Sequence, residues 1–159
     1  MSATPSPPVA HPALKAILWG GLLASFCDMV FAFANYGLKL GVFKSVLGGI
    51  IGREAARAGG VPTFVAGLSV HYLIGIIWAA IYWAASRRMP ALVRHAIPAG
   101  LLYGIVIFYG MNSVVLPLSA LHTNVWPLPW DPLALAVHMG FIGLPIALAA
   151  RKFSRGAGG

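Results

Sequence analysis

The run AILWGGLLASFCDMVFAFANYG, Ala16–Gly37, decides the fold class of this chain. One charged side chain, Asp28, interrupts it. Its length matches the ~20 apolar residues an α-helix needs to cross ~30 Å of hydrocarbon. Three more runs follow: Val61–Ser86, Ala96–Ala120 and Pro132–Ala150, none carrying an Asp, Glu, Lys or Arg. Lipid offers backbone amides no partners, so segments of this kind must close their hydrogen bonds internally as helices. The expected fold is all-α: an integral membrane four-helix bundle with helices at about 16–37, 61–86, 96–120 and 132–150.

Composition agrees. Of the 159 residues 59% are hydrophobic and 9% charged, against roughly 25% charged in a soluble domain. The bundle occupies residues 13–152, which leaves no room for a second domain. Residues 1–12 hold Pro5, Pro7, Pro8 and Pro12 among small polar residues and read as a disordered tail; 153–159 reads as a flexible one. A lone cysteine, Cys27, excludes an intramolecular disulfide and a cysteine-rich metal site.

The net charge of +8 does not indicate nucleic acid, because the basic residues flank the apolar runs and no basic domain exists. Such flanking charges set topology and meet anionic headgroups. The headgroup contacts expected are Lys39, Lys44, Arg53, Arg57, Arg87, Arg88, Arg151 and Lys152. With both termini on one side, that side collects seven cations: Lys15, Arg87, Arg88, Arg94, Arg151, Lys152 and Arg155. The other side has four: Lys39, Lys44, Arg53 and Arg57. The excess places both termini in the cytoplasm.

The first connector is itself structured. Phe43, Val46, Leu47, Ile50 and Ile51 recur at helical spacing with Lys44 and Arg53 between them, which predicts an amphipathic helix at about 42–57. It would lie in the interface, with packing onto the bundle as the alternative. Asp131-Pro132 predicts a capped helix start. Trp126 and Trp130 mark one interface, and Trp19, Tyr82 and Trp83 the other. Pro145 removes a hydrogen bond to the Phe141 carbonyl and predicts a kink.

Two pairs of helices share local patterns. Gly21-Leu22-Leu23 matches Gly100-Leu101-Leu102, and Leu68-Ser69-Val70-His71 matches Leu135-Ala136-Val137-His138. A tandem two-helix unit would generate this, with its copies related about the membrane normal.

Each helix also carries one polar residue at similar depth. At ~1.5 Å per residue, Asp28 lies ~18 Å along helix one and Asn112 ~24 Å along helix three, counted from the terminal side. His71 and His138 lie ~15 Å and ~9 Å from the opposite side. Intramembrane ionisable residues are costly and face the bundle interior. Asp28, His71, Asn112 and His138 therefore form a candidate cluster. It serves as polar glue between helices, as a proton- or ion-handling site for a transporter or channel, or as a ligand set in which His71 and His138 hold b-type haem or a metal. No cofactor is required by the first two. There is no nucleophile elbow, Gly-rich phosphate loop, carboxylate pair or HExxH motif, so catalytic machinery is not evident. The leading expectation is a non-enzymatic accessory subunit or small structural bundle, a homo-oligomer or part of a larger membrane complex.

The pattern Met111-Asn112-Ser113-Val114-Val115-Leu116-Pro117-Leu118-Ser119, with Asp28 early and Ala84-Ala85-Ser86-Arg87-Arg88 closing helix two, resembles small bacterial four-helix inner-membrane proteins of unknown function, loosely akin to the YagU-type membrane proteins. The resemblance covers roughly residues 13–152 and implies bacterial origin, the inner membrane and four helices. It brings no activity and no site residues.

Overall fold

The computed structural model describes residues 11–37, 39, 41–124, 126–127 and 130–155. Four helices are long and apolar enough to cross a membrane: α1 (Pro12–Tyr36), α4 (Val61–Arg88), α6 (Ala96–Leu118) and α7 (Pro132–Ser154). Between α1 and α4 come α2 (Gly41–Ile51) and α3 (Arg53–Ala58); a short α5 (Ala91–Arg94) links α4 to α6. The described residues contain no strand. Four spans put the start of α1 and the finish of α7 on the same side of the bundle, here called the terminal end. The helices begin and finish within a few residues of the expected limits. Of the expected tails, residues 1–10 and 156–159 lie outside the described residues, while Pro12 already opens α1.

Local chemistry accounts for the boundaries. Asp131 caps α7 by accepting a 2.9 Å hydrogen bond from Ala134 N–H, with Pro132 following it. Gly52, at φ 87°, splits the expected connector helix into α2 and α3, a conformation that glycine adopts without penalty. α2 packs on α4, with Phe43, Leu47 and Gly48 buried, the packing expected as the alternative and compatible with a place at the interface. Gly67 of α4 makes this possible, since any Cβ there would strike the Phe43 carbonyl.

Two π-helical stretches interrupt the long helices, at Met111–Val115 in α6 and His138–Gly143 in α7. Each ends two residues before a proline, Pro117 or Pro145. A proline has no N–H for the carbonyl four residues back, and its ring crowds that carbonyl. The wider π turn relieves both problems. The disturbance expected around Pro145 is thus a reorganised hydrogen-bond ladder, and Pro117 produces a second one.

The crossing of α1 with α4 is repeated by that of α6 with α7. A Cβ on Gly21 would lie 2.9 Å from the Gly75 carbonyl oxygen and 2.6 Å from Ile76 Cα. A Cβ on Gly100 would lie 3.0 Å from the Gly143 carbonyl oxygen and 2.9 Å from Leu144 Cα. Small residues let backbones approach to this extent. Gly75 stands four residues after His71 and Gly143 five after His138, and the π turn absorbs the extra residue. The paired patterns in the sequence thus coincide with equivalent contacts in space.

The remaining two faces are not equivalent. α1 packs closely on α7, with Gly20 against Ile146 and Ala149 and with Ala24, Ala147 and Ala150 buried. α4 and α6 stand apart and touch mainly through Trp78, Tyr82 and Tyr103. Tyr82 was expected at the interface. It is 1% exposed, and its hydroxyl donates at 2.9 Å to the carbonyl of Leu92 in the connector α5, so it is packed within the protein near the terminal end.

Candidate functional site

Holding α4 and α6 apart leaves a cavity of about 300 Å³ bordered by all four long helices and by α2, and open on one side. Its walls are mainly apolar: Ala24 of α1, Val70 and Ile74 of α4, Ile107 and Met111 of α6, and Ile142 of α7. Asp28, His71 and His138 border it as well.

Asp28 and His71 meet across the α1–α4 crossing. His71 Nε2 lies 3.0 Å from the Ser25 carbonyl oxygen and 3.9 Å from Asp28 Oδ2. A carbonyl oxygen only accepts, so Nε2 carries a proton and donates it to this bond. Ser25 and Asp28 are three apart on α1 and share a face, which is why one imidazole reaches both. Phe43 of α2 holds the ring edge-on at 5.1 Å between centroids, and Tyr72 does so at 5.7 Å. The imidazole is therefore fixed by packing and a backbone hydrogen bond, while the carboxylate faces the cavity with its side chain 25% exposed.

The other two residues of the candidate cluster are arranged differently. His138 borders the same cavity, yet its Nδ1 donates to the Ala134 carbonyl of its own helix at 2.7 Å, and the ring packs edge-on to Phe108. Asn112 does not line the cavity. Its Nδ2 donates to the Phe108 carbonyl at 2.8 Å, again within its own helix. Both sit in π-helical stretches. Depth along a helix was readable from sequence, but the azimuth of Asn112 was not, because the π turn at Met111 rotates everything after it. Among the described residues no group of three or more His, Cys, Asp or Glu side chains converges.

Residues that sequence reading did not single out complete the site. Ser25 Oγ is buried at the cavity wall without a hydrogen-bond partner. Its position one turn before Asp28 was the available signal. Trp78 Nε1 donates to Met111 Sδ at 3.4 Å and presents an aromatic wall. Ser45 and Ser119 border the cavity too, and their hydroxyls donate to the Val42 and Leu116 carbonyls at 2.6 Å and 2.7 Å.

The expected headgroup residues fall into two groups. Lys44 turns inward and donates to the Gly59 carbonyl. With Arg53 and Arg57 it lines a separate cavity of about 440 Å³ bordered by α2 and α3. Lys39, Arg87, Arg88 and Lys152 are exposed and Arg151 is half-buried. The Arg87 guanidinium lies 5.6 Å from the centre of the Trp83 ring, a cation–π pairing suited to a boundary between water and apolar surface.

Fold and site together define a class: a multi-pass, four-helix membrane bundle with a carboxylate–imidazole pair on the wall of an internal cavity. Comparison of the chain with protein-family models, with curated proteins and with solved structures finds no match.

Proposed function

We propose that this chain is a bacterial inner-membrane protein in which Asp28 and His71 exchange a proton in step with occupation of the central cavity, so that it acts as a small proton-coupled transporter. One observation carries the reading: the Asp28 carboxylate faces a cavity shared by all four long helices. Polar glue would place it in a hydrogen bond between helices. His71, already bound to the Ser25 carbonyl, supports a conserved geometry through protonation changes at Asp28, since one imidazole N–H is near both oxygens. An Asp beside a His inside a bundle is a chemically suitable proton relay. The cation excess at the terminal end supports cytoplasmic termini, and the YagU-type resemblance supports a bacterial inner membrane.

A second reading has its own observation. The small residues Gly20, Gly21, Gly75, Gly100 and Gly104 are spent inside the bundle, whereas the gap between α4 and α6 is open to a further helix. A partner, or a second copy of the chain, seated there would make the protein an accessory subunit of a membrane assembly.

Reconstitution separates the two. Purified protein in liposomes is expected to carry a proton flux that Asp28→Asn abolishes while the mass of the particle in nanodiscs is unchanged. No flux from the wild type, together with a change of assembly in Asp28→Asn, would establish the subunit reading instead.

A further inference from the structure

We infer that the central cavity binds a small lipophilic organic cation, an ammonium group on a compact apolar or aromatic body, with its charge placed at Asp28. This names the substrate class of the proton-exchange site and rests on that reading.

The walls select the ligand by elimination. A hard inorganic cation needs about six oxygen ligands. Here the cavity offers one carboxylate and three hydroxyls, two of them already committed as donors to carbonyls of their own helices. An anion would meet Asp28, and among the described residues no Lys or Arg borders the cavity. A wholly apolar ligand would leave the polar Asp28 carboxyl group against apolar surface without a hydrogen-bonding or charged partner. An organic cation satisfies both features at once. Its charge pairs with Asp28, its body fills space between Ile74, Ile107 and Ile142, and the Trp78 ring offers a cation–π face. Ser25 Oγ supplies an independent pointer. Ser25 is 3% exposed and borders the cavity, and its hydroxyl has no hydrogen-bond partner. An ammonium group on Asp28 lies one helical turn away and would set its positive charge beside the lone pairs of that oxygen. The volume of about 300 Å³ is at the small end of ligand pockets, so the ligand is compact. The space borders the gap between α4 and α6, which suits a molecule that partitions into lipid before it binds.

Binding is then an exchange: the protonated Asp28 carboxyl releases its proton to water as the organic cation takes its place, and charge in the cavity is conserved. Other titratable groups surround the acid. Cys27 is its neighbour on α1, His71 and Tyr72 come from α4, and His138 from α7; α2 and α6 bring only Ser45 and Ser119 hydroxyls to the cavity. Competition with the proton predicts that affinity falls as the pH is lowered.

The test uses the full chain in lipid nanodiscs and benzyltrimethylammonium as the probe, with neopentylbenzene as its uncharged isostere and empty nanodiscs as blank. Calorimetry in two buffers of different ionisation enthalpy counts the protons released. The expected result is saturable binding of the cation with proton release, weakened at least tenfold in Asp28→Asn and retained within a few-fold in Asp28→Glu. Equal affinity for the neutral isostere, or unchanged affinity in Asp28→Asn, would overturn the inference. The two proposals fail separately. An Asp28-dependent proton flux without cation binding removes the substrate class and leaves proton exchange standing. Asp28-dependent cation binding without flux keeps the site and removes the coupling.

Discussion

The α1–α7 face and the α4–α6 face occupy equivalent places in the paired architecture, and they have opposite characters. Placing Gly21 on Gly100 and Gly75 on Gly143 sets Ala24 against Tyr103, Ile146 against Trp78, and Ala150 against Tyr82. On one face, alanines let α1 and α7 close until Gly20 meets Ile146 and Ala149. On the other, three aromatic rings wedge α4 and α6 apart, with Tyr82 and Tyr103 4.8 Å between centroids and Trp78 and Tyr103 6.1 Å apart. The Tyr103 hydroxyl anchors the wedge through a 2.7 Å hydrogen bond to the Trp78 carbonyl. Repeated crossings build a rigid pair of pairs, and unequal side chains on the remaining faces convert it into a bundle with a cavity. Membrane helices gain little from hydrophobic exclusion, so side-chain size sets their separation.

The largest effects should come from the crossings common to both halves. Gly75→Leu and Gly104→Leu drive a side chain into the Gly21 carbonyl and the His138–Met139 backbone respectively, and each should cost at least ~1–3 kcal/mol. Reversible unfolding in mixed micelles measures this; wild-type stability in both would break the claim that the two crossings hold the pairs together.

Next comes a direct exchange of character between the faces. Ala24→Tyr places on the closed face the ring found on the open one, at a residue with 0% exposure. Overpacking there should destabilise by ~1–3 kcal/mol and widen α1 from α7. Spin labels on those two helices should report the separation. No change in distance would show that side-chain size does not set it.

Removing only the anchor is milder. Tyr103→Phe keeps the ring but loses the hydrogen bond to the Trp78 carbonyl, and intramembrane hydrogen bonds average ~0.6 kcal/mol. A loss several times larger would mean that the hydroxyl, more than the ring, keeps α4 and α6 in place.

The smallest effect belongs to Asn112. Its amide bonds only to its own helix, so Asn112→Ala should change stability by less than ~0.5 kcal/mol and leave proton flux unaltered. Flux lost in this variant would put Asn112 back with Asp28 and His71.

These contrasts also show how far the sequence could be read. Asp28 and His71 were legible as members of one candidate cluster, because each is an ionisable residue well inside its apolar run. His138 was legible as a companion through its matching context. Its hydrogen bond to Ala134 was not, since a helix presents both outward and backward options to a ring at that position. Ser25 looked like one more small residue on a helix. The wedge escaped notice because Trp78, Tyr82 and Tyr103 read as apolar bulk or interface markers wherever they fall in an apolar run.

The sequence alone indicated four helices long and apolar enough to cross a bilayer, their approximate limits, and a lone acid and two imidazoles well inside those runs. Each of these follows from local physics: run length against bilayer thickness, caps and prolines at the ends, and the cost of charge in lipid. Only the tertiary structure decided that α2 folds onto α4 through Gly67, that the π turns before Pro117 and Pro145 reset the azimuth of the residues beside them, and that one of two equivalent faces stays open. These depend on which side chains meet across helices distant in sequence. In a chain so uniformly apolar, hydropathy says almost nothing about which face turns inward.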